Sequence, residues 1–154
     1  DKNLWRETFD VNVHGTFYFI QEFLPEMISQ KSGTICIVSS IAGLKGIKSS
    51  AAYSSSKHAL VGLAKSLAEE YGKHGISVVP ICPGFVESDM TTRTIRGLMK
   101  RHKISEADAI KRVEETTAQR RIIPAEEVAE AIAFVCSGKV SSLSGSPLIL
   151  NGGM

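Results

Sequence analysis

Two short apolar runs rich in β-branched residues, TICIVS at 34–39 and ISVVPIC at 76–82, set the narrowest limits on this fold. Neither alternates apolar with polar residues, so each reads as a strand covered on both faces. The segment between them is too long for a hairpin. Leu60, Leu63, Leu67 and Tyr71 recur in it at three- and four-residue spacing, which predicts a helix over 51–72 ended by Gly72 and Gly75. Two buried strands joined through such a helix form a right-handed parallel crossover.

The remaining segments extend that pattern. Phe9, Val13, Phe17, Ile20, Phe23, Leu24 and Ile28 predict a helix over 3–31, with Gly15 as its bend and Pro25 disturbing its second half. The KSG at 31–33 ends it. SSIAGLKGIKSS after the first strand is a loop by its Gly and Ser content, and PGFVESDM after the second is a turn and loop. Residues 91–119 are polar and predict two short helices. Pro124 followed by Glu126 and Glu127 starts another, running to Ser137, and PLIL at 147–150 supplies a third short strand. Helix, strand, helix, strand, helices, strand is the order of a parallel α/β sheet. With no internal repeat and no low-complexity linker, residues 1–154 read as one domain.

Composition removes several classes of function. A net charge of +2 and an ordinary share of charged residues point to neither nucleic acid nor a membrane surface. No apolar run approaches the ~18 residues of a membrane-spanning helix. Cys36, Cys82 and Cys136 are odd in number and lack CxxC spacing, which argues against a disulfide framework or a zinc site; buried free thiols in the cytoplasm are expected. His14, His58, His74 and His102 show no ligand spacing, so no metal is expected. The chain opens DKNLW without an initiator Met, and we expect it to be a piece of a longer protein or a processed one.

In parallel sheets the reactive groups lie beyond the carboxyl ends of the strands. Ser40 follows the first strand, Pro83 and Gly84 follow the second, and Tyr53 and Lys57 open the helix between. Tyr53 and Lys57 stand four residues apart in YSSSK, about one helical turn, so phenol and ammonium share a face. A phenol ordinarily holds its proton to pH ~10, and a neighbouring cation favours the phenolate. Such a pair can serve as a general acid/base. Taken alone, it reads as readily as a solvated helix face. A serine acyl-transfer reading rests on Ser54 and Lys57 as SxxK with a KSG at 31–33. The KSG, however, precedes the SxxK and lies at a helix end, and GxSxG is absent. Arg93, Arg96, Lys100, Arg101 and Lys103 stand without an acidic residue between them, as a solvated face or a mobile lid for an anionic group.

Five motifs in order then resemble the short-chain dehydrogenase/reductases with an Asn-Ser-Tyr-Lys tetrad: NVHGTF at 12–17, GTICIVSSIAG at 33–43, YSSSK at 53–57, PGFVESDM at 83–90 and the closing SGSPLILNGGM. The resemblance implies the C-terminal part of a Rossmann-like, doubly wound parallel sheet. The glycine-rich dinucleotide turn of that family is absent among the thirteen glycines, and with it the residue that selects NAD or NADP. It implies an oxidoreductase moving a hydride between NAD(P)(H) and a secondary alcohol or ketone. Tyr53 would be the general acid/base, Lys57 would lower its pKa and hold the nicotinamide ribose, and Ser40 would orient the substrate oxygen. Asn12 would hold a water through its backbone carbonyl. Pro83, Gly84, Val86 and Ser88 would border the nicotinamide, and residues 91–119 would form a substrate lid. Relatives pair two long helices per subunit, which implies a homodimer or homotetramer here through helices 3–31 and 51–72. A regulatory, nucleotide-binding member and a catalytically inert piece are the competing expectations.

Overall fold

The computed structural model describes all of residues 1–154. One long helical rod comes first, made of α1 (Lys2–Phe9), a single wide π turn at Asp10–His14, and α2 (Gly15–Gln30). Asp1 caps it by accepting the Asn3 N–H at 2.8 Å. The expected bend at Gly15 is instead this wide turn just before it, and α2 continues through Pro25. Lys31 ends α2 in the left-handed region at φ 52°, and Gly33 already belongs to the next strand.

Three strands follow, β1 (Gly33–Val38), β2 (Ile76–Pro83) and β3 (Leu148–Leu150), all parallel in the order β1-β2-β3. Between β1 and β2 runs α3 (Ala51–Tyr71). Beyond β2 come α4 (Asp89–His102), α5 (Glu106–Glu114) and α6 (Ala125–Cys136), the last beginning after Pro124. The alternation read from the sequence is therefore the alternation of the fold.

Burial follows from position in the sheet. β2 is central and every one of its residues is buried. On one face Ile37, Ile76 and Val78 meet Ile20 of α2 and Leu60, Ala64 and Leu67 of α3. On the other, Val79 and Ile81 meet Val135 of α6, with Cys36 packed beside them. The first strand meets helices on both faces, as expected, but is covered only in part. Only Ile37 of β1 is buried, and Val38 is 48% exposed, because β1 is an edge of this three-stranded sheet. The expectation of three buried thiols fails: Cys82 is buried, Cys36 partly so, and Cys136 is exposed at the end of α6. Ile95, Ala109 and Val113 form a separate small core between α4 and α5. No helix is long and apolar enough to cross a membrane.

Candidate active site

Lys57 and Tyr53 meet at the carboxyl edge of the sheet. α3 begins at Ala51, so both lie in its first two turns, with the Lys57 Nζ 5.7 Å from the centre of the Tyr53 ring. Lys57 reaches over to the end of β1 and donates to the Val38 carbonyl at 3.0 Å. Burial pulls the Lys57 ammonium below the ordinary lysine value, and the nearby Cys82 thiol pushes weakly the other way. The bond to Val38 helps keep the charged form in place.

The loop after β1 is locked to α3 from beneath. Ser39 donates to the Lys57 carbonyl at 2.8 Å, and Ser40 accepts the Ala42 N–H at 3.1 Å, starting a short turn at Ile41–Gly43. Gly43 permits this seating. A Cβ there would run into the Ser39 hydroxyl and come within 2.6 Å of the Lys57 carbonyl oxygen. The buried Cys82 thiol at the end of β2 lies against the same loop. Burial raises its pKa, while the Ser40 backbone, the Ser39 hydroxyl and Lys57 lower it.

Asn12 arrives from the far side. The wide turn at Asp10–His14 brings its side chain to α3, where its amide donates to Ser56 at 3.0 Å and Ser56 donates to the Tyr53 carbonyl at 2.8 Å. The Asn12 carbonyl accepts the Thr16 hydroxyl at 2.7 Å.

The segment after β2 completes the edge. Gly84 donates to the Leu150 carbonyl at 2.8 Å and packs against Asn151, so its lack of a side chain serves the approach of β3. Ser88 caps α4, accepting from the Thr91 N–H and donating to the Val86 carbonyl at 3.1 Å. Glu87 and Ile123 bond across the Val86–Ile123 bridge and leave the Val86 N–H without an acceptor in the chain. Asn12, Ser40, Tyr53, Lys57, Pro83, Gly84, Val86 and Ser88 thus all belong to segments at one edge of the molecule. A cavity of about 570 Å³ opens at the opposite end of the sheet, near Gly75, Ser77 and Ser144.

Sequence reasoning missed Ser39, Gly43, Ser56 and Cys82. Each had a visible signal in its immediate neighbour: Ser39 in the doubled serine, Ser56 beside Lys57, Gly43 closing the loop motif, Cys82 before Pro83. What lacked a signal was the partner of each.

With the geometry in place, the chain can be compared with known proteins. The family model described as short chain dehydrogenase matches residues 1–98. The chain is 35% identical over 150 residues to the 3-oxoacyl-[acyl-carrier-protein] reductase FabG of Aquifex aeolicus, covering 97% of this chain and 56% of that one. It is also 35% identical over 148 residues to Protein MoaE of Klebsiella aerogenes, covering 96% of this chain and 57% of that one. Among solved structures, an actinorhodin polyketide ketoreductase with NADPH matches 99% of this chain and 59% of its own, with 28% identity and a TM-score of 0.93. A 3-oxoacyl-[acyl-carrier protein] reductase with bound NAD from Brucella melitensis matches all of this chain and 53% of its own, with 27% identity and a TM-score of 0.83. The chain spans a little over half the length of the curated relatives it matches.

Proposed function

The chain belongs to the short chain dehydrogenase family, and on that footing we propose that it carries the acid–base half of an oxidoreductase site acting between NAD(P)(H) and a ketone or secondary alcohol. The observation that carries this reading is the fixed Lys57–Tyr53 pair, 5.7 Å apart, with Lys57 tied to the end of β1. Tyr53 is partly buried, and its hydroxyl makes no bond within the chain.

The residues at the sheet edge suit a nicotinamide. The unpaired Val86 N–H offers a donor to its carboxamide, Lys57 offers donors to its ribose hydroxyls, and Pro83 and Gly84 form a wall that brings no long side chain into the space. When bound there, the nicotinamide supplies or accepts the hydride. Tyr53 gives its phenolic proton to the substrate oxygen in reduction and takes it back in oxidation. Lys57 holds a cation beside the Tyr53 ring while that transfer takes place. Ser40 donates to the substrate oxygen and stabilises negative charge there. Asn12 and Ser56 hold the first turn of α3 so that Tyr53 stays aimed. The basic solvent face of α4 closes over the substrate as a lid.

The test is Tyr53→Phe in the longer protein that the sequence leads us to expect, assayed with NADH and NADPH against aliphatic ketones and 3-oxoacyl thioesters, the latter because two relatives named above reduce such groups. The substitution should lower turnover by about 10²–10⁴-fold with cofactor affinity nearly unchanged. Full turnover in the variant would end the proposal. A second reading concerns residues 1–154 alone, whose sheet has three strands and no glycine-rich turn. We propose that they bind nucleotide too weakly to turn over. Fluorescence titration should show no saturation at micromolar NADH or NADPH, and micromolar binding would refute this.

A further inference from the structure

We propose that Cys36 and Cys136 form a peroxide-sensitive dithiol that closes into a disulfide between β1 and α6, apart from the proposed active site. The two residues are 100 apart in sequence, yet their Sγ atoms lie 3.6 Å from one another. That is a thiol–thiol contact, and about 1.5 Å of approach, shared by two side chains, brings it to the ~2.05 Å of a bond. The third cysteine, Cys82, is fully buried at the carboxyl end of the central strand β2 and takes no part in the contact.

The two thiols differ in a way that divides the labour. Cys136 stands exposed at the end of α6, where a small oxidant reaches it. Cys36 is partly buried among Val79, Val135 and their neighbours. Burial, the hydrogen bond to Cys136 and repulsion from its charge push the Cys36 thiol up to about 12, so it does not attack first. Cys136 thiolate attacks hydrogen peroxide, forming an S–O bond and breaking O–O, and the released hydroxide is protonated to water. Cys136 is then a sulfenic acid, held within reach of Cys36 by the same contact. The Cys36 sulfur attacks the Cys136 sulfur, S–S forms, S–O breaks, and hydroxide leaves with the Cys36 proton as a second water. The two sulfurs lose two electrons and the peroxide gains them.

The consequence reaches the sheet edge. Cys36 and Val38 are two apart on β1 and so point to one face, and the Val38 carbonyl holds Lys57. A disulfide therefore staples the strand two residues before the anchor of the Tyr53–Lys57 pair.

The experiment exposes the folded protein to a few equivalents of hydrogen peroxide, quenches with catalase, and labels with N-ethylmaleimide in denaturant. The oxidised protein should take one label where the reduced protein takes three, weigh two hydrogens less, and yield a peptide joining Cys36 to Cys136; dithiothreitol should restore three labels. A control separates folding from chance. In guanidinium the pairings with Cys82 close shorter loops and should dominate, so the Cys36–Cys136 link should appear only in folded protein. Cys36→Ser should leave Cys136 as a sulfenic acid that dimedone traps. Three labels after peroxide, a link to Cys82 in the folded protein, equal Cys36–Cys136 linkage in guanidinium, or sulfinic acid at Cys136 in the unsubstituted protein would each overturn the proposal.

Discussion

Lys57 answers two opposed demands. Its proposed task needs a cation beside Tyr53, while its surroundings remove water from that cation and draw its pKa below the ordinary 10.5. The sign of the effect on stability follows. Just below 10.5 the unfolded chain still holds the Lys57 proton and the folded chain has released it, so stability rises with pH across that window. Below the folded value both forms are protonated and the cost of burial stands in full. We expect the difference in urea midpoint between the protein and its Lys57→Met variant to grow in favour of the protein as pH climbs toward 10.5. A flat or falling difference would mean that the Val38 carbonyl compensates the lost water completely. The same residue shows why function is hard to read from spacing alone. The four-residue interval placed Lys57 beside Tyr53 correctly, but the Val38 carbonyl that fixes it lies nineteen residues back, on another element.

At the scale of elements, the π turn at Asp10–His14 and the first turns of α3 act as one unit, joined by Asn12, Ser56 and the Tyr53 carbonyl. Ser56 is completely buried and uses its single hydroxyl both to accept and to donate. Ser56→Ala removes both bonds and leaves the part-buried Asn12 amide short of a partner. The expected cost is about 1–3 kcal/mol, read by urea denaturation, and a loss below a few tenths would show that the brace carries no load. None of this was legible beforehand. A wide turn inside a helix leaves no compositional mark, and NVHGTF shows only Asn12, His14 and Thr16 interleaved with Val13, Gly15 and Phe17. What was legible came from period and length: α3, β2 and α6 fell where the apolar spacing, the β-branched run and the Pro-Glu start put them. β1 misled for a physical reason. Its sequence resembles that of β2, and Ile37 and Cys36 meet helices on opposite faces, but as an edge strand it is covered less completely and Val38 is left exposed. The cap that Ser88 places on α4 was not legible either, because its partners Val86 and Thr91 are set by the turn and not by spacing.

For the whole molecule, the unexplained feature is the apolar outside of the helical rod. Leu4, Trp5, Val11, Phe17, Tyr18, Phe19 and Phe23 are all exposed on α1, the π turn and α2, far more apolar area in one stretch than solvent favours. We propose that this rod and α3 pair with their counterparts in a second subunit as a four-helix interface. α3 offers a clean test because Gly62 is exposed in mid-helix and a Cβ there would meet nothing within 4 Å. Within one subunit, then, a larger side chain at this position costs no contact, and replacing glycine by a better helix former adds up to about 1 kcal/mol. Between two closely packed α3 helices the same side chain has no room, and two copies of a charge meet across the axis of symmetry. Gly62→Arg should therefore keep or raise the urea midpoint measured at high dilution while shifting the mass by light scattering to that of a single chain. An unchanged oligomeric mass would remove α3 from the interface, and a lowered midpoint in the single chain would show that Gly62 is needed by the fold itself.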